Sequence, residues 1–112
     1  MTDIEEQAAI FGVLADATRL KLLRLLSRQQ EQNALCVNAL ADRLGVTQSA
    51  ISQHLRLLKS AGLVKGERRG YRVHYFINRE AIARAQQQVT ETLNLGEKGA
   101  EGPDRENRNG GV

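Results

Sequence analysis

The sequence contains no Trp, one Cys and one Pro, and its aromatic residues are only two Tyr and two Phe. Because few large aromatic side chains are available, a core must be built mainly from Leu, Ile, Val and Ala, and a Leu-rich composition favours helices. A single Cys cannot form a disulfide within the chain, which fits a reducing compartment. The 112 residues are sufficient for one domain with a modest core.

Export and membrane signals are also missing. The first six residues are acidic where a signal peptide would be basic, and no apolar run approaches the length needed to cross a bilayer. These features predict a cytoplasmic protein with no membrane partner.

Basic side chains are concentrated in one part of the chain. Residues 43–79 carry eight Lys or Arg and a single acid, Glu67, so this segment has a net charge of +7 and the remainder −4. A localised basic field is the electrostatic footprint of nucleic-acid binding. Anionic membrane would attract the same charge, but this stretch has no apolar outer face to insert.

The residues from Val46 to Gly62 predict a helix with two different faces. Thr47 can cap its first turn, and Gly62 stands just past its end. One side collects the apolar residues Ala50, Ile51, Leu55, Leu57, Leu58 and Ala61. The other side collects Gln48, Ser49, Ser52, Gln53, Arg56 and Lys59. Amides and hydroxyls can read base edges and cations can contact phosphates, so we interpret this segment as a DNA-recognition helix.

The flanking segments predict a winged helix-turn-helix. Residues 39–44 have a short helical pattern, with Asn38 as its expected cap, and Gly45 and Val46 turn the chain into the recognition helix. Downstream, the segments 63–65 and 71–77 flank the short basic link 66–70, which predicts a hairpin, the wing. Tyr71 and Tyr75, at alternate positions, are expected to pack on this sheet rather than to stack on bases.

Three further helices complete the expected α+β fold. The first should end near Leu14, the second should run from Ala17 to Arg28 with Asp16 as its cap, and the last should start after Asn78. The second helix is apolar over more than half its circumference and should be central. The first helix has a broader apolar stripe, and the last helix has a narrow apolar seam that predicts pairing with another helix. The predicted dimerisation residues are Ile4, Ala8, Phe11, Ile82, Ala85, Val89 and Leu93. Residues 1–95 form the predicted domain, and 96–112 form a Gly-rich polar tail expected to be disordered.

Several of these motifs together resemble the ArsR-type winged-helix regulators. They are Leu-Ala-Asp-Ala-Thr-Arg-Leu at 14–20, Leu-Cys-Val at 35–37, Gln-Ser-Ala-Ile-Ser-Gln-His-Leu at 48–55, Ala-Gly-Leu-Val at 61–64 and Gly-Tyr-Arg-Val-His-Tyr at 70–75. The resemblance implies a dimer formed through the first and last helices. It also implies a DNA-binding transcriptional repressor acting on a palindromic operator.

The metal sites of that family do not carry over. Many members bind thiophilic metals through Leu-Cys-Val-Cys at the start of helix 3, whereas here the sequence reads Leu35-Cys36-Val37-Asn38. Other members place His and carboxylate ligands along the last helix, but residues 79–91 contain no His. We therefore expect no metal and no cofactor. Cys36 remains a candidate for redox modification, which the start of helix 3 would favour.

No catalytic role is expected for the remaining polar residues. His54 falls on the apolar side of its helix, which favours a hydrogen-bonded core residue over a metal ligand or base reader. For His74, a surface or phosphate-contact role and no role are equally open. Cys36 has no base nearby in sequence, and Ser49 and Ser52 lie among amides without a His–carboxylate pair to activate them, so enzymatic activity is not expected.

The sequence thus predicts a homodimeric, sequence-specific DNA-binding repressor. A solvated hairpin tip is the alternative for the wing cations, but their proximity to the recognition helix favours backbone or minor-groove contact. The predicted DNA-binding residues are Thr47, Gln48, Ser49, Ser52, Gln53, Arg56, Lys59, Lys65, Arg68, Arg69 and Arg72. One alternative is a sensor that releases DNA through Cys36 or an unidentified ligand pocket. Another is an interaction module for an acidic protein partner.

Overall fold

The computed structural model describes residues 2–30 and 34–94. In these ranges the chain forms five helices and one two-stranded sheet, in the predicted order. They are α1 Thr2–Leu14, α2 Ala17–Arg28, α3 Val37–Leu44, α4 Gln48–Ser60, β1 Val64–Arg69, β2 Arg72–Ile77 and α5 Arg79–Leu93. No helix of this described part is long and apolar enough to cross a membrane. The predicted disordered tail, 96–112, lies outside the described residues.

Helix α2 is the central helix, as predicted. It packs against α1, α3, α4 and β2, and its side chains Leu22 and Leu26 are buried. Asp16 caps it by accepting a hydrogen bond from the Arg19 amide at 3.0 Å. Leu20, by contrast, is 51% exposed, because it lies on the side of α2 that borders a groove beside α1 and α5.

The helix-turn-helix supplies most of the core. Gly45 ends α3 in the left-handed conformation, with φ of 68°, which an L side chain rarely adopts. The chain then reverses into α4, where the Thr47 hydroxyl accepts from the Ala50 amide at 3.0 Å. The buried cluster comprises Leu22, Leu26, Leu40, Ala41, Ile51, Leu55, Leu58, Leu63 and Val64.

Two details of these helices differ from prediction. Asn38 does not cap α3. The helix begins at Val37, and Cys36 stands at the cap position in extended conformation, where it forms a β-bridge to His74. Leu57 is partly exposed rather than part of the apolar face, since it lies about 200° around the helix from Leu55.

The wing is longer than predicted. Strands β1 and β2 pair antiparallel from Val64 opposite Ile77 to Arg69 opposite Arg72, so the predicted link 66–70 is mostly strand. The connection is reduced to Gly70 and Tyr71. Gly70 has φ of 66° and Tyr71 does not have a positive φ, the pattern of a type II′ turn.

Side chains also tie distant segments to this framework. The Gln29 amide donates to the Tyr75 carbonyl at 2.6 Å, and its oxygen accepts from the Leu35 amide at 2.8 Å, which fastens the end of α2 to β2 and to the approach to α3. Asn78 caps α5 through the Ala81 amide, as predicted. Thr92 on α5 donates to Gln7 on α1 at 2.8 Å, so the first and last helices contact each other.

Candidate nucleic-acid interface

The outer face of α4 is polar and exposed because the apolar side chains of the same helix are used in the core. Ile51, Leu55 and Leu58 are buried, whereas Gln53 and Arg56, on the opposite side, are exposed. The other predicted contact residues of this helix, Gln48, Ser49, Ser52 and Lys59, are also exposed. The structure therefore brings them together on one solvent-facing surface. That surface has hydrogen-bonding groups and cations but no carboxylate, which suits base edges and phosphates.

The wing adds cations in different environments. Lys65 and Arg68 are exposed on β1. Arg69 is partly buried, pairs with Glu67 at 3.2 Å and lies 4.9 Å from the centre of the Phe76 ring. These contacts hold the Arg69 guanidinium against the sheet.

Arg72 faces a different neighbour. It lies opposite Arg69 in the hairpin, and its Nη1 donates to the Cys36 sulfur at 3.5 Å. Two cations directly opposite each other destabilise a strand pair. The contacts of Arg69 with Glu67 and of Arg72 with Cys36 offset that repulsion.

Tyr71 is the residue of this surface that sequence reasoning missed. The expectation of sheet packing is wrong, because Tyr71 belongs to the two-residue turn and not to β2, and its side chain is 100% exposed. An exposed aromatic ring at the tip of a basic hairpin contributes nothing to the core. The signal available in the sequence was Gly70, which can start a two-residue turn between two strands.

We expect Tyr71→Ala to weaken DNA binding by about tenfold, the loss of one hydrogen bond to a charged phosphate. Tyr71→Phe separates the hydroxyl from the ring: it weakens binding equally if the hydroxyl contacts phosphate, and less if the ring packs on the backbone sugars. Fluorescence anisotropy with labelled DNA measures both. Thermal unfolding serves as the control and should be unchanged, since the side chain is fully exposed. Affinities of both variants within twofold of the unmodified protein would contradict the prediction.

The two histidines have different outcomes. His54 is half-buried and its Nδ1 accepts a hydrogen bond from Arg19 Nε at 3.2 Å, which confirms a hydrogen-bonded residue. His74 is partly buried and pairs with Cys36 through an isolated β-bridge, and its Nδ1 is buried without a hydrogen-bond partner among the described residues.

A groove with apolar walls lies on the side formed by α1, α2 and α5. It has a volume of about 960 Å³ and is bordered by Phe11, Leu20 and Val89, among others. Of the predicted dimerisation residues, Ala8 is exposed, and Ile4, Phe11 and Leu93 are half-exposed or more. Ile82, Ala85 and Val89 are partly buried and line the groove. Leu20 was not predicted at this surface, because the leucines of α2 indicated a central helix covered on several sides.

Comparison with known proteins places this chain in a family. Residues 16–65 match the family described as "Bacterial regulatory protein, arsR family". A curated relative from Synechocystis, "Transcriptional repressor SmtB homolog", is 37% identical over 80% of this chain, although the match spans only 64% of that relative. A Mycobacterium bovis structure described as a homodimeric winged helix-turn-helix DNA-binding domain and possible ArsR-family regulator is 34% identical. The match covers 84% of this chain and 85% of the M. bovis chain, with a TM-score of 0.62.

The chain belongs to the ArsR family. A solved ArsR-like regulator from Rhodococcus sp. RHA1 superposes with a TM-score of 0.71 at 25% identity, over 89% of this chain and 90% of the other. The predicted resemblance and the winged helix-turn-helix fold are therefore confirmed. The family is one of transcriptional regulators.

Cys36 of this ArsR-family chain is half-buried at the start of α3. The amide of Ala39, the side chain of Arg72 and the amide of Asn38 hold the pKa of the Cys36 thiol below its ordinary value. A small cavity of about 330 Å³, bordered also by Val73 and Tyr75, opens beside it. Within residues 2–30 and 34–94, no group of three or more His, Cys, Asp or Glu side chains is placed to hold a metal ion.

Proposed function

We propose that this chain is a homodimeric transcriptional repressor that binds a two-fold symmetric DNA operator in the cytoplasm. The observation that carries the proposal is the exposed, carboxylate-free face of α4 beside a basic hairpin. The names of the relatives support repression, and the family supports DNA as the partner. The proposed activity requires neither a cofactor nor catalysis.

Each group has a distinct role in this proposal. Gln48, Ser49, Ser52 and Gln53 read base edges in the major groove, because amides and hydroxyls are both donors and acceptors. Thr47 holds the helix start and can donate its hydroxyl proton to a phosphate. The cations Arg56, Lys59, Lys65, Arg68, Arg69 and Arg72 neutralise phosphates and release counterions.

The second copy is proposed to cover the groove beside α1 and α5. Phe11 and Leu20 border it and are exposed in the single chain, as are Ile4 on α1 and Leu93 on α5. Covering them removes this apolar area from water, which stabilises association. The M. bovis neighbour is described as homodimeric, which supports a dimer. Two recognition helices then meet half-sites separated by about one or more DNA turns.

The experiment that tests the proposal is a footprint on the DNA upstream of the protein's own gene, followed by a salt titration of binding. We expect one protected two-fold symmetric site and an affinity that falls steeply with salt. The slope of log affinity against log salt concentration should be close to −1 for each phosphate contacted. Poly-glutamate of matched charge is the control for the acidic-partner alternative. If it competes as well as the protected DNA, the surface is a general polyanion site and the proposal is wrong.

A thiol-responsive sensor is the second candidate, and the contact between Cys36 and Arg72 is the observation that favours it. Alkylation of the thiol would remove the partner of a wing cation. The test compares DNA binding before and after iodoacetamide treatment, with Cys36→Ser as the matched control. Release of DNA in the unmodified protein but not in Cys36→Ser would support this candidate, and unchanged binding would reject it.

We predict that arsenite, zinc and cadmium do not release the protein from DNA at low micromolar concentration. A tight site for thiophilic metals needs several converging soft ligands. This chain has Asn38 at the position where metal-binding members of the resembled family have a second Cys. Titration of the DNA complex with each metal, for the unmodified chain and for Cys36→Ser, measures this. Release that disappears in Cys36→Ser would contradict the prediction.

A further inference from the structure

The side chain of Arg19 joins two helices that have different tasks in the proposed function. Its Nη1 donates to the Val13 carbonyl at 2.9 Å, in the last turn of α1. Its Nε donates to His54 Nδ1 at 3.2 Å, on α4. One guanidinium therefore contacts the end of a proposed dimerisation helix and the middle of the proposed recognition helix.

This double contact restrains orientation. A guanidinium is planar, so its donors point in fixed directions, and the two acceptors must keep their relative positions to be satisfied together. The backbone of Arg19 is held as well, because its amide donates to the Asp16 carboxylate at the start of α2. Helix α1 packs mainly on α2 and α5, so the Arg19 side chain supplies a specific link from α1 to α4.

The His54 end of the link lies close to the reading face. His54 follows Gln53 in sequence and points toward the protein, where it is half-buried, while Gln53 points outward. A rotation of α4 that breaks the Arg19–His54 bond also displaces Gln53 and Arg56. Loss of the Arg19–His54 bond therefore shifts residues that contact DNA in the proposed function.

We propose that Arg19 and His54 are positioning residues that fix the angle of the recognition helix relative to the dimer axis, and so determine the half-site spacing that the protein accepts. This inference rests on the proposed function. DNA makes one turn in about 10 base pairs, so inserting one base pair rotates a half-site by roughly 35°. Ile51, Leu55 and Leu58 keep α4 in the core. The Arg19–His54 bond fixes its remaining tilt, so loss of that bond should relax the preference for one spacing.

The experiment measures affinity for the footprinted operator and for versions with one base pair inserted or deleted between the half-sites. His54→Leu removes the acceptor, and we expect about tenfold weaker binding to the native spacing with little change for the altered spacings. His54→Asn keeps an acceptor near the position of Nδ1 and should retain the original preference. Arg19→Lys keeps the charge but cannot bond both acceptors, so it should show the same loss of spacing preference. It serves as the test if His54→Leu does not fold.

Arg28→Ala is the matched control, because Arg28 is an exposed cation on the same helix and has no part in the link. Its spacing preference should be that of the unmodified protein. If His54→Leu and Arg19→Lys weaken all spacings by one common factor, or leave the preference intact, the proposal is wrong while the proposed function stands. If the unmodified protein binds no operator, the proposed function fails and this inference fails with it.

Discussion

Replacing Phe11 and Leu93 together by glutamate is expected to give a monomer that binds the full operator at least about 100-fold more weakly. Both side chains are exposed in the single chain, so the substitutions cost little in its own fold. In the proposed dimer they would be covered, and two unpaired carboxylates per protomer would have to lose their hydration. The operator affinity falls because the second half-site is then bound by an independent molecule.

Sedimentation equilibrium at micromolar concentration and anisotropy titrations of full and half operators measure the two effects. Affinity for an isolated half-site should be unchanged. Leu57→Glu is the matched control, since it also replaces an exposed leucine by glutamate, but on α4 and away from the groove. It should sediment as a dimer. A doubly substituted protein that remains dimeric would show that the interface lies elsewhere.

The second large effect is expected at Gln53. Gln53→Ala should reduce the difference in affinity between the preferred operator and single-base variants by about 1–3 kcal/mol at one position per half-site, because a side-chain amide can form a bidentate pair with a base. Gln53 is exposed on the outer face of α4, so the fold should not be affected.

Arg68→Ala provides the contrast. Arg68 is an exposed wing cation, and its loss should weaken binding to all sequences by one similar factor and reduce the salt slope by about one. Both variants are titrated against a panel of operator variants at several salt concentrations. If Gln53→Ala weakens every sequence equally, α4 is not the element that reads sequence.

Local chemistry accounts for the predictions that the structure confirms. Asp16, Thr47 and Asn78 were predicted as helix caps, and each accepts a hydrogen bond from an amide in the first turn of its helix. A cap depends on residues within three or four positions, which a sequence displays directly. The core face of α4 was predicted for the same reason, apart from Leu57.

The errors arose where a residue's environment is set by a segment distant in the chain. Asn38 is not the cap because α3 already begins at Val37, directly after Cys36, which forms a β-bridge to His74, 38 positions away. Tyr71 was assigned to a strand although Gly70 can start a two-residue turn. Which residues form that turn depends on the strand register, from Val64 opposite Ile77 to Arg69 opposite Arg72. The Arg19–His54 contact joins residues 35 positions apart, and no periodicity in either helix indicates it.

The division of α4 into a buried and an exposed side has an evolutionary consequence. Leu55 and Leu58 maintain the fold, while Ser49, Ser52 and Gln53 have no share in the core. Substitutions at exposed positions usually change stability by less than about 0.5 kcal/mol. Under the proposed function, duplicated genes of this kind could diverge toward new operators through a few exposed α4 residues, without first acquiring compensating changes in the interior.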